Sequence, residues 1–136
     1  MGPIDYTKYK APRLRHHVDP GLYIPFAQHK VKRIYYPPVI EAADWSRYFL
    51  NAGPPNYLDV GCGMGKFLME YALKKPGKNI LGIELRKNAT EWINKVIRGE
   101  GIINAHALWY SVVNGLRFIE DKSIEKVFYL FPDPWV

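Results

Sequence analysis

Asp59-Val60-Gly61-Cys62-Gly63-Met64-Gly65 is the stretch on which the fold turns. It follows a short apolar run (Tyr57, Leu58) and precedes a helical pattern, so it reads as a strand, a glycine turn and the start of a helix. Glycines permit a tight turn and a close approach of backbone to ligand. The dinucleotide fingerprint wants its third glycine at position 66, which is Lys66 here. A Walker loop ends in Gly-Lys-Ser/Thr, whereas this chain has Gly65-Lys66-Phe67 after a shorter loop. A carboxylate at the base of the turn, Asp59, would repel phosphate and favour a cationic ligand or a hydrogen-bond donor. Cys62 reads as a small loop filler and Lys66 as an exposed first-turn residue.

Outward from this turn the chain alternates. Strands are expected over 57–61, 79–84, 102–108 and 125–131, and helices over 65–75, 87–99 and, more briefly, 109–119. In the 87–99 helix the apolar positions Ala89, Trp92, Ile93, Val96 and Ile97 recur at three-to-four spacing. Such alternation predicts an α/β class with a parallel, Rossmann-like sheet of about four strands and right-handed crossovers. Ligands in such sheets sit beyond the carboxyl ends of the strands. The glycine turn, Glu84 and Pro132-Asp133-Pro134 all come after expected strands and should converge there.

Glu84 lies 25 residues after Asp59, at the end of the second strand, where a carboxylate can accept both ribose hydroxyl protons. S-adenosylmethionine fits this pair of acids, having a ribose diol, an ammonium and a sulfonium but no phosphate. Gly61, Gly63 and Gly65 would shape its turn. At the other end, Phe131-Pro132-Asp133-Pro134-Trp135 holds one carboxylate between two prolines, with an indole for stacking. A guanine offers N1–H and N2–H donors to such a carboxylate and a π-face to the indole. Guanine N7 carries a lone pair and no proton, so attack on a sulfonium methyl needs no general base; positioning and electrostatics suffice.

Upstream, residues 1–50 form an expected arm with a short helix over 39–50, and residues 51–136 the α/β unit. The first 40 residues carry six of the eleven prolines, which argues for turns, and five tyrosines, which argue that part of the arm packs. They also carry seven basic residues against two acids, a net of +5 out of the chain's +6. A polyanion is the expected partner of such a basic arm. The single cysteine excludes an internal disulfide and suits a reducing, cytoplasmic setting. No secretory signal and no apolar run of about 18–20 residues is present, so no membrane association is expected. No metal is implied.

Together these residues resemble the tRNA (guanine-N7-)-methyltransferase family. The resemblance rests on Arg13-Leu14-Arg15-His16-His17-Val18, Asp44-Trp45, Asp59 to Gly65, Gly82-Ile83-Glu84-Leu85-Arg86, Asn104 and Phe131-Pro132-Asp133-Pro134-Trp135. It implies methylation of a guanosine at N7 in the tRNA variable region, with S-adenosylmethionine as donor. It implies cofactor contacts for Asp59, Gly61, Gly63, Gly65, Glu84 and Asn104, and Asp133 as the active-site carboxylate. For the tRNA it implies Arg13, Arg15, His16 and Trp135. Where the family places an acid against the adenine amino group, this chain has Ser111, a hydroxyl that can still accept a hydrogen bond. Family members also continue past Pro-Asp-Pro-Trp, whereas this sequence stops at Val136. Three explanations stand open: a fragment, a fold completed by a partner chain or self-association over an open apolar edge, or a degenerate relative. The alternative function is a non-catalytic RNA-binding or assembly module.

Overall fold

The computed structural model describes residues 3–14, 19–29 and 36–130. Four strands, β1 (Tyr57–Val60), β2 (Ile80–Glu84), β3 (Ala105–Trp109) and β4 (Lys126–Phe128), form one sheet in the order β3-β2-β1-β4. All pairings are parallel, with Asp59 opposite Gly82 on one side and Phe128 on the other. Two helices, α1 (Lys66–Lys74) and α2 (Lys87–Glu100), make the crossovers from β1 to β2 and from β2 to β3. The chain steps outward from β1 through β3, then returns to place β4 on the far side of β1. The order therefore reverses between β1 and β4, the switch point at which doubly wound sheets bind ligands.

Because both crossovers turn the same way, α1 and α2 share one face of the sheet. Leu68, Met69 and Ala72 of α1 and Ile93, Val96 and Ile97 of α2 are buried there against Tyr57, Ile80 and Ala107. Each large apolar side chain buried this way contributes about 2 kcal/mol. α2 stops at Gly101, whose φ of +67° allows the Ile102 N–H to reach Ile97 O at 3.0 Å. The opposite face is covered by Phe49, Tyr110 and Phe118, packed on Leu58, Leu81, Ile83 and Leu108. All five residues of β2 are buried, as a central strand covered on both faces requires. Among the described residues, no helix is long and apolar enough to cross a membrane.

Two expected helices are replaced by single 3₁₀ turns. Over 39–50 only Trp45–Arg47 is helical, because the Leu50 N–H donates to Ile103 O (3.0 Å) and the turn at Asn51 comes at once. Over 109–119 only Val112–Asn114 is helical. There the Tyr110 N–H donates to Glu84 O (3.2 Å), prolonging the sheet pairing, and Gly115 at φ +85° ends the turn. The third strand begins at Ala105, later than expected, because Gly101 and Ile102 are taken up in capping α2. Among the described residues β4 is an edge strand of the sheet. Its Val127 is 61% exposed, while Phe128 packs edge-on against Tyr57, Phe67 and Tyr71.

The arm is docked on the α/β unit in two places. Tyr6 Oη donates to Glu70 of α1 (2.9 Å), Tyr9 Oη donates to Glu100 of α2 (2.5 Å), and Lys8 pairs with Glu100 (3.1 Å). The chain then runs back along α2. Trp92 Nε1 donates to Tyr9 O (3.2 Å) and Asn88 Nδ2 donates to Arg13 O (3.3 Å). Position 9 thus lies by the carboxyl end of α2 and position 13 by its amino end. Gly99 is what admits the Tyr9 ring, since a Cβ there would stand 2.7 Å from Cε1 and 2.8 Å from Cζ. The second docked segment, 19–29, is held by Ser111 Oγ donating to Leu22 O (2.7 Å) and the Phe26 N–H donating to Asn114 Oδ1 (2.8 Å).

Candidate functional site

A cavity of about 450 Å³ opens at the carboxyl ends of the strands. Its walls are the turn after β1 (Gly61 to Phe67), the end of β2 (Glu84 to Arg86), the segment after β3 (Tyr110 to Val113), Tyr129 and Leu130 after β4, and Tyr23 from the arm. The sheet order explains the convergence: all four strands point the same way, so the segments leaving their carboxyl ends meet at one rim.

The glycine turn is built by backbone conformation. Gly61, Gly63 and Gly65 all have positive φ, between 60° and 76°, which side chains of ordinary chirality adopt at a cost. At Gly65 space forbids a side chain as well, because a Cβ would meet Ile93 of α2 at 2.7 Å. Gly63 lines the cavity, and a Cβ there would meet nothing within 4 Å. The turn is closed by the Gly61 and Cys62 N–H groups, which donate to Ile83 O (2.7 and 3.1 Å), and by the Gly65 N–H, which donates to Cys62 O (2.9 Å). Cys62 packs into this turn, and burial pushes its thiol pKa well up, so it is a filler rather than a nucleophile. Lys66 is exposed, as expected.

The two acids differ in surroundings. Asp59 is 2% exposed and lines the cavity, and its carboxylate accepts no hydrogen bond from the described residues. Burial alone pushes its carboxyl from the ordinary 3.8 up to about 7. Glu84 is buried but well supplied with donors. Gly63 N donates to Oε1 (3.1 Å), and Arg86 N and Nε both donate to Oε2 (2.9 Å each). Arg86 Nη2 reaches Oε1 at 3.4 Å, completing an ion pair. A carboxylate that already meets four donors has its acceptor sites filled. A new donor at Glu84 must displace one, and the side-chain guanidinium is the one not fixed by the backbone.

The structure brings Asp59, Gly61, Gly63, Gly65, Glu84 and Ser111 to this one cavity. Ser111 is 1% exposed and its hydroxyl proton goes to Leu22 O, so its first role is to hold the arm. Asn104 is not brought there. It lies at the opposite end of the sheet, just before β3, with Nδ2 within 2.8–3.0 Å of the carbonyl oxygens of Ala72, Lys75 and Lys78. It thereby satisfies carbonyls left open where α1 ends. Arg13 sits beside α2. Arg15, His16, Asp133 and Trp135 lie outside the described residues. Arg86 and Tyr23 line the cavity without having been expected there. Arg86 is visible within Gly82-Ile83-Glu84-Leu85-Arg86, two residues past the acid it grips, whereas nothing local to Tyr23 points to the cavity.

A family model described as "Putative methyltransferase" matches residues 54–136, which hold the whole sheet and both helices. The chain belongs to this family. A tRNA (guanine-N(7)-)-methyltransferase of Synechococcus sp. (strain JA-2-3B'a(2-13)) is 33% identical over 124 residues, covering 90% of this chain and 47% of that protein. One of Thermosynechococcus vestitus is 34% identical over 97 residues, covering 71% of this chain and 46% of that protein. The chain spans about half the length of the curated relatives it matches. Among solved structures, PKMT2 of Rickettsia typhi in complex with AdoHcy aligns over 60% of this chain and 14% of its own, at 28% identity and a TM-score of 0.43.

Proposed function

We propose that this methyltransferase chain takes part in methyl transfer from S-adenosylmethionine to N7 of a guanosine in tRNA. The observation that carries the reading is Asp59, a buried carboxylate facing the cavity with no hydrogen-bond donor among the described residues. Burial disfavours its charged form, and a cation brought against it reverses that penalty. A phosphate would deepen it. The residues therefore fit S-adenosylmethionine better than a nucleotide. Asp59 would face its ammonium, Glu84 would accept from the ribose hydroxyls with the Arg86 guanidinium giving way, and the open side of Gly63 leaves room for the nucleoside. The amino end of α1, lined by Gly65 and Lys66, favours a carboxylate. When bound, the cofactor supplies an electrophilic methyl group.

The chain's own part is then to orient and to exclude water. Tyr23, Val112 and Val113 wall the cavity with mostly apolar surface. Leu130, three residues before Asp133, lies at the same rim. Asp133 is assigned to hold the guanine edge and to offset the positive charge that develops on the ring as N7 is alkylated. Arg13, Arg15, His16 and Trp135 are assigned to the tRNA, the substrate class in the names of the relatives.

The test is tritium-methyl incorporation into unmodified tRNA by the chain and by its Asp133→Ala variant. Loss of a positioning and charge-stabilising group in the transition state is expected to lower turnover by about 100-fold or more. Calorimetric affinity for S-adenosylmethionine should stay within about twofold, because the cofactor site is intact. Equal turnover in the two proteins would remove Asp133 from the site. No heat with millimolar S-adenosylmethionine would remove the reading itself.

A further inference from the structure

A second, shallow groove of about 650 Å³ lies where the arm crosses α2. Its walls are Lys10, Ala11, Pro12 and Arg13 from the arm and Asn88, Glu91, Trp92 and Lys95 from the helix. Three cations, Lys10, Arg13 and Lys95, therefore ring one depression. Among the described residues none of the three enters an ion pair, while the acid in the groove, Glu91, lies 3.8 Å from Lys87. The three cations outnumber the single acid of the groove, so they repel one another, and a bound polyanion relieves that repulsion.

The groove is built rather than accidental. The Tyr9 ring on Gly99, Trp92 Nε1 on Tyr9 O and Asn88 Nδ2 on Arg13 O fix the arm backbone along the helix. That fixes Lys10 and Arg13 relative to Lys95 before any ligand arrives, which removes part of the ordering cost of binding. The direction matters as well. The arm runs from the carboxyl end of α2 toward its amino end, and Asn88 is two residues past Arg86, which lines the cofactor cavity. Between Asn88 and Lys95 the helix rises about 10 Å, room for two phosphates of a nucleic-acid backbone.

We infer that this groove between the arm and α2 is a track for the phosphate backbone of the RNA substrate, with Lys10 and Lys95 joining Arg13 as its cations. The inference rests on the tRNA reading above. An acidic protein is the other partner such a groove could take, and the test separates the two.

The experiment is filter binding of unmodified tRNA to the chain across a potassium chloride series. Each neutralised phosphate contributes about 0.7–0.9 to the slope of log affinity against log salt. Lys95→Ala and Lys10→Ala are each expected to reduce the slope by about that amount, and Lys122→Ala, an exposed lysine outside the groove, to leave it unchanged. Affinity for S-adenosylmethionine should be the same in all of these proteins. An unchanged slope for Lys95→Ala, an equal fall for Lys122→Ala, or no tRNA binding by the parent chain would each overturn the track, the last pointing to an acidic protein instead. Normal slopes with no methyl transfer would uphold the track while refuting the proposed reaction.

Discussion

Asp59→Asn should stabilise the ligand-free protein while destroying its cofactor affinity. The folded-state carboxyl is held near 7 against an ordinary 3.8. For an acid, a raised value means that the folded protein keeps a proton the unfolded chain has already lost. Stability from this group is therefore greatest below about pH 4 and declines as pH climbs through 7. The full penalty above both values is about 4 kcal/mol, and about 2.5 kcal/mol of it develops between pH 5 and pH 8. Asparagine has nearly the same shape and cannot ionise, so the variant escapes the penalty. Urea denaturation at pH 5 and pH 8 reads the effect directly: the variant's stability relative to the parent should improve by about 2–3 kcal/mol between those pH values. Calorimetry reads the counterpart. If the ionised carboxylate receives the ammonium, parental affinity for S-adenosylmethionine should rise about 50-fold from pH 5 to pH 7, and that of the variant should be weak and flat. A stability difference that does not move with pH would refute the burial argument. A variant affinity that tracks the parental pH profile would refute the assigned role.

Two further substitutions probe features that look interchangeable in sequence. Gly99→Ala should stabilise by about 1 kcal/mol in a Tyr9→Ala background, where only helix propensity matters. In the parent chain that gain should vanish or reverse, because the new methyl meets the Tyr9 ring; equal effects in a double-mutant cycle would refute the arm's docking. Asn104→Ala should cost about 1–3 kcal/mol in urea denaturation by stranding carbonyls at the end of α1, with cofactor affinity unchanged. A selective loss of cofactor affinity would return Asn104 to the site.

Much of the sheet is legible in the sequence because its signals are local. The apolar runs at Tyr57, Ile80 and Val127 and the three-to-four spacing from Ala89 to Ile97 each declare their period within a few residues. The two short helices fail for the opposite reason. Trp45, Tyr48 and Phe49 have an amphipathic spacing, but a tertiary acceptor, Ile103 O, takes the Leu50 N–H. Tyr110 is likewise drawn into the sheet by Glu84 O. Asn104 joins the expected cofactor contacts only through the family resemblance; standing just before β3, it lies at the amino ends of the parallel strands, away from the cavity.

From its sequence alone this chain declares a parallel α/β unit with an acid at the end of each of its first two strands, because glycine spacing, strand ends and charge are properties of neighbouring residues. The strand order β3-β2-β1-β4 was decided only in three dimensions. So were the contrast between a desolvated Asp59 and an Arg86-bound Glu84, and the path of the arm along α2. The physical reason is that desolvation and ion pairing depend on which distant segments close over a group, and the identity of the group does not reveal them.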